Sequence, residues 1–313
     1  MSEEQLFRKN LKNIIVQLMS QNYGFYFLKS RLVKAEDKAA EILVTGSSYA
    51  VHGIQDGECP GLVNLSCTSQ DLYCDYELTR LAVCEREKRC LPMFKRNYIL
   101  LGYYALYDDL SMNMTTRELM TKTYEPLIGK SHHYDGKRQD RKAVLNENYE
   151  YLSDEEFAIC DEWITEFLRG KNYFNELYHR EDNTEEAYRG IVWSRLNIEE
   201  KRFYGSKRAL QHNKLYKHVN TAAENRAILE EYIRFLTDNE IEPVIVIPPF
   251  SKEYLGELKT EFKKELYQVL DELECPIEVY DFNEEELFCA DDFFDMDHLN
   301  DSGAVKLTSM LFA

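Results

Sequence analysis

This chain is short of positive charge. Its 313 residues carry 38 Lys and Arg against 56 Asp and Glu, a formal net charge of −18. A surface of that sign repels phosphate backbones and anionic headgroups, which argues against nucleic-acid binding and against electrostatic membrane docking. Long apolar runs are also lacking. The nearest N-terminal one, NIIVQLM at 13–19, is too short for a signal peptide or a spanning helix and sits in an amphipathic context. A cytoplasmic protein is therefore the expectation. None of the eight cysteines belongs to a CxxC pair or a regular framework. Reduced thiols are expected, and no metal site is.

Glycine-rich phosphate loops are missing too. ILVTGSSYAVHGI at 42–54 ends an apolar run in Thr-Gly and two serines, where such a loop would sit. After Gly46 the next glycine is Gly53, no Gly-Lys-Ser/Thr follows, and the chain has no Tyr-x-x-x-Lys pair. A plain strand-to-helix connection or the seat of a nucleophilic serine remains.

What is present is an alternation of strands and helices. Helical spacing runs through 3–37, and EILVTG at 41–46 reads as a buried strand stopped by glycine. GLVNLS at 61–66, NYILLGYYAL at 97–106, EPVIVIPP at 242–249 and PIEVYDF at 276–282 supply four more strands. Helices are expected over 69–87, 221–239, 251–273 and 301–312. The pattern predicts an α/β fold, a flavodoxin-like parallel sheet of about five strands flanked by helices. Residues 1–106 and 221–313 are assigned to that domain, with an N-terminal helix. The polar, strand-free stretch 107–220 is assigned to a large, mainly helical insertion or lid.

Function in such sheets gathers beyond the carboxyl ends of the strands. Ser48 lies at the end of the first strand, and FFDMDHLNDSGAVKL at 293–307 places Asp295 and His298 in D-x-x-H spacing before the last helix. Alone, a D-x-x-H is more often a loop residue and a surface histidine. Paired with Gly-x-Ser at the right end of a parallel sheet, it supplies a nucleophile (Ser48), a general base (His298) and a carboxylate that orients the imidazole (Asp295). Other features take the bland reading. His132-His133, His212 and His218 lack metal-ligand company, Glu284–Glu286 is a solvated charge run, and the 22 tyrosines suit packing before they suit sugar stacking.

TGSSYAVHGI together with DMDHLNDSGAVKLT resembles the SGNH/GDSL hydrolase superfamily, with Gly46-Ser47-Ser48 in place of Gly-Asp-Ser. The continuation H-L-N-x-x-G-A-x-K and VIPPFSKEY look closest to the branch that includes cell-surface polysaccharide O-acyltransferases and the D-alanyl transfer protein of teichoic acids. The resemblance implies a serine-dependent ester hydrolase or O-acyltransferase working through an acyl-enzyme, without a cofactor, on a small-molecule or glycan ester. It also implies a membrane-associated acyl-transfer partner. The runner-up reading is a glycan- or carrier-binding protein that kept the fold and lost turnover.

The family's second block is matched by NLSCTSQD at 64–71, which puts Ser69 where glycine usually sits and offers its backbone N–H as an oxyanion donor. Asn64 is a lesser candidate. The third block departs from the family: LLGYYALYDD has no Gly-x-Asn-Asp, leaving Gly102, Tyr103 and Tyr104 as substitutes. Lys252, just beyond the fourth strand, is a candidate to face the cleft.

Overall fold

The computed structural model describes residues 2–112, 114–130, 132, 153–169 and 192–312. His133 and the stretches 133–152 and 170–191 of the expected insertion lie outside the described residues. In chain order the principal elements begin with α1 (Glu3–Gln21), α2 (Tyr23–Ala35), β1 (Ile42–Gly46), α3 (Ser48–Gly53), β2 (Leu62–Asn64), α4 (Leu72–Lys88) and β3 (Arg96–Leu100). There follow α5 (Met114–Leu119), α6 (Glu125–Ile128), α7 (Asp154–Arg169), α8 (Ile198–Asn213) and α9 (Val219–Asp238). The chain closes with β4 (Glu242–Ile247), α10 (Lys252–Leu255), α11 (Thr260–Asp271), β5 (Glu278–Asp281) and α12 (Asp301–Phe312).

The five strands form one parallel sheet in the order β2-β1-β3-β4-β5. This is the flavodoxin-like arrangement, with its strand order reversing between β1 and β3. Leu43, Val44, Ile99, Leu100 and Val244 to Ile247 are all buried, as strands covered by helices on both faces must be. One polar cluster sits inside this core. The Tyr232 hydroxyl on α9 lies 3.0 Å from the Thr45 hydroxyl, 2.7 Å from that of Thr79 and 3.0 Å from the Asn97 amide, which satisfies it.

Two compact units emerge, Met1–Ala35 with Leu110–Asp182, and Glu36–Asp109 with Asn183–Ala313. The division departs from the compositional one at both ends. The N-terminal helices cluster with the inserted segment, sharing a core of Leu11, Ile15, Leu18, Phe25, Tyr26 and Cys160. They are two helices, interrupted at Asn22, where one was expected. At the other end α8 and the start of α9 belong to the sheet unit, not to the insertion.

The expected 251–273 helix also splits, into α10 and α11. The helix expected from residue 69 starts at Leu72, with Asp71 as its cap: its carboxylate accepts from the Cys74 N–H at 2.9 Å.

Candidate active site

The turn after β1 is built around Gly46. Its φ is +137°, and a Cβ there would stand 2.6 Å from the Leu100 carbonyl oxygen, so only glycine fits. The two serines that follow separate into different tasks. Ser47 is the cap of α3: its carbonyl accepts from Ala50 and Val51, and its side chain from the Tyr49 N–H. Ser48 is the first residue of the helix, and its hydroxyl points to His298, 2.8 Å from Nε2.

The D-x-x-H spacing has a local cause. Asp295 Oδ1 accepts the backbone N–H groups of Asp297 (2.9 Å) and His298 (2.8 Å), an Asx-type turn that folds the chain back on the carboxylate. The same fold brings the His298 Nδ1 to 2.9 and 3.0 Å from the two carboxylate oxygens. Nδ1–H therefore donates to Asp295, and Nε2 is left with the lone pair that faces the Ser48 O–H. Burial alone would raise the Asp295 carboxyl. The neighbouring imidazole and the hydrogen bonds outweigh it and bring the group down to about 2. For His298, burial lowers the imidazole, but Asp295 and Asp297 more than offset it and the net shift is upward.

Asp297 stands directly behind this trio, its side chain wholly buried. Its Oδ1 lies 3.5 Å from His298 Nδ1 and makes no hydrogen bond. Its Oδ2 accepts from the Arg208 Nε–H at 2.9 Å and from the Tyr49 hydroxyl at 3.2 Å. Tyr49 in turn sits 2.8 Å from the Tyr104 hydroxyl. Since the Tyr49 proton goes to Asp297, the Tyr104 proton goes to Tyr49. Donor atoms of Asp295, Asp297 and His298 fall within 4.8 Å of one another, close enough to hold a cation, which the sequence did not foresee. Arg208 already supplies the balancing positive charge at Asp297.

A small cleft opens outside β1 and β3, at the point where the strand order reverses. Ser47, Gln70, Asp75, Gly102, Tyr104 and Asp108 are among the residues that line it. Asp75 is held under the β1 turn, where its Oδ1 accepts from the Gly46 N–H (2.9 Å) and the Gln70 amide (2.6 Å). Burial is the main cause that pushes this carboxyl up to about 8. Burial likewise pushes Asp108 up to about 6.

Among the described residues, three backbone N–H groups near strand ends have no hydrogen-bond partner. Ser48, at the first position of α3, has none within its helix. Neither Ser69 nor Gly102 donates to any described residue. Ser69 has φ +64°, the left-handed conformation in which glycine is strain-free. Gly102 is packed so closely that a Cβ would lie 2.8 Å from the Tyr49 ring.

The remaining sequence candidates have their polar groups engaged or lie away from the relay. The Tyr103 hydroxyl donates to Asp281 at 2.7–2.8 Å and the Tyr104 hydroxyl to Tyr49, so neither proton is left for an oxyanion. Asn64 ties the end of β2 to α3: its amide donates to the Ala50 carbonyl and its Oδ1 accepts the Ser66 N–H. Lys252 is 72% exposed and paired with Glu286 at 2.6 Å, away from the cleft. His212 is buried against the Tyr104 ring and bonded to the Tyr254 hydroxyl at 2.5 Å; burial and then Arg208 lower it to about 3. His52, stacked on Phe294 beside His298, is lowered to about 4 by burial and then by His298, and stays neutral at pH 7.

No protein-family model matches the chain, and no curated protein matches it by sequence. No described helix is long and apolar enough to cross a membrane.

Proposed function

We propose that the protein is a serine-dependent ester hydrolase or O-acyltransferase of SGNH/GDSL type, acting through an acyl-enzyme. The observation that carries this is the unbroken relay Ser48 Oγ, His298 Nε2, His298 Nδ1, Asp295, with successive contacts of 2.8 and 2.9 Å at the switch point of the sheet. In the first half-reaction the Ser48 proton passes to His298 Nε2 as Oγ attacks the ester carbonyl. The oxyanion is received by the N–H groups of Ser48 and Ser69, with Gly102 as a third backbone donor in place of the missing asparagine. Collapse breaks the ester C–O bond, and the departing alkoxide takes the proton from His298. Water or an acceptor hydroxyl then gives its proton to His298 and attacks the acyl-enzyme; collapse breaks the acyl–Oγ bond, and His298 returns the proton to Ser48 Oγ.

Acylated carbohydrate is the substrate class implied by the resemblance, and a cytoplasmic setting with a membrane-associated acyl-transfer partner belongs to the same reading. The family's third donor is a side-chain amide; the Gly102 N–H that stands in for it makes a weaker contact, costing part of the about 10²–10³ in rate that outright loss of an oxyanion donor costs. Slow hydrolysis, with transfer favoured when an acceptor is present, is the expected behaviour. The purified protein should cleave phenyl acetate slowly, and an oligosaccharide acceptor should speed phenol release and appear acetylated by mass spectrometry. Hydrolysis at ordinary esterase rates, unchanged by acceptor, would make it a plain esterase. Committed Tyr103 and Tyr104 hydroxyls favour the second reading, a glycan- or carrier-binding protein, if no acyl group is turned over at all.

A further inference from the structure

Arg208 has no part in the acyl-transfer chemistry above, yet it is held beside it. We propose that Arg208 is the anion-recognition residue of this site, its terminal guanidinium edge taking a carboxylate or phosphate on the ester substrate; this rests on the acyl-transfer reading. Helix α8 is brought close by Gly205, where a Cβ would meet the Glu253 backbone at 2.7 Å. One turn on, the Arg208 Nε–H is anchored on the buried Asp297 Oδ2. That contact is single-pronged. It uses only Nε, and neither Nη group donates to any described residue. About a third of the side chain, 31%, is open to solvent.

A guanidinium fixed at one edge and open at the other matches the planar, two-pronged recognition of carboxylate and phosphate. Its orientation is already set, so little rotamer freedom is lost on binding. The position also fits a site for the substrate. Arg208 shares the Asp297 oxygen with Tyr49, whose partner Tyr104 lines the cleft, and its charge reaches Asp108 on the cleft wall as well as Asp295 and His298.

The test compares three esters on wild-type protein, R208Q and R208K: neutral phenyl acetate, 3-acetoxybenzoate with its carboxylate on the leaving alcohol, and monophenyl succinate with its carboxylate on the acyl group. One anionic ester should exceed phenyl acetate in kcat/KM by at least tenfold in the wild type, and which one does so identifies the half of the substrate that carries the charge. R208Q should erase that preference, mainly through KM, and R208K should keep a few-fold remnant because it retains charge without the fork. Equal loss on all three esters would mean that Arg208 only holds Asp297, and would overturn the proposal, as would a wild type without anionic preference. If Ser48 takes no acyl group and nothing turns over, the acyl-transfer reading falls by itself. Titration with inorganic phosphate and benzoate then decides the Arg208 question: binding weakened at least tenfold by R208Q supports the anion site, and equal binding or none in the wild type rejects it.

Discussion

Ser48→Ala should remove ester turnover almost completely, lowering kcat by about 10⁵–10⁶ while the fold persists. The hydroxyl makes one hydrogen bond, to His298, whose loss costs about 1 kcal/mol of stability. The chemistry loses its nucleophile altogether. Ser47→Ala is the control, because Ser47 caps α3 and does not face the imidazole. It should cost about 1 kcal/mol through the cap and leave turnover within a few-fold of wild type. Steady-state kinetics with circular dichroism on both variants separates the two serines. Retained activity in Ser48→Ala, or its loss in Ser47→Ala alone, would move the nucleophile.

Asp295→Asn should reduce kcat by about 10⁴ with the backbone turn preserved, since the asparagine Oδ1 can still accept the N–H groups of Asp297 and His298. The effect is on the imidazole. An amide N–H turned toward Nδ1 favours the tautomer with its proton on Nε2, which then cannot accept from Ser48.

The pH profile reads the same group. His298 must be neutral to act as base, and its pKa is raised above the ordinary 6.5 because the carboxylates beside it outweigh burial. Activity should therefore be low at acid pH and rise as pH passes through that raised value. Asp297→Asn removes one of the charges that raise it, so the rising limb should move to lower pH with a smaller fall in kcat than Asp295→Asn. A limb that stays in place would show that Asp297 does not act on His298.

The central strands were legible because they are largely apolar runs ended by glycine or proline, as in 42–46 and 242–247. The three residues of the relay were legible because each sits at a strand end or just before a helix. Arg208 was not, since α8 does not read as an amphipathic helix. Its buried face is Gly205, Ala209 and His212, while Phe203 and Leu210 are exposed at 62% and 55%. A periodicity search therefore finds no apolar stripe and leaves the stretch in an irregular insertion. The cap was there to be found, since Asn197 and Glu200 make the reciprocal pair that starts the helix.

Tyr49 and Asp297 were hidden for another reason. A tyrosine next to Ser48 and an aspartate next to His298 look like neighbours of a motif, and only the fold shows them bonded to each other. Tyr103 and Tyr104 failed as donors because sequence places a hydroxyl near a strand end but does not say where its single proton goes.

The most direct measurement is covalent labelling with a fluorophosphonate, followed by mass spectrometry of the modified peptide. A nucleophile activated by His298 should react at Ser48 and give one adduct per chain. That adduct should be absent in Ser48→Ala and strongly reduced in His298→Ala and Asp295→Asn. Labelling at another residue, or none in a protein that is folded and binds a glycan, would contradict the acyl-enzyme and leave the site a binding cleft.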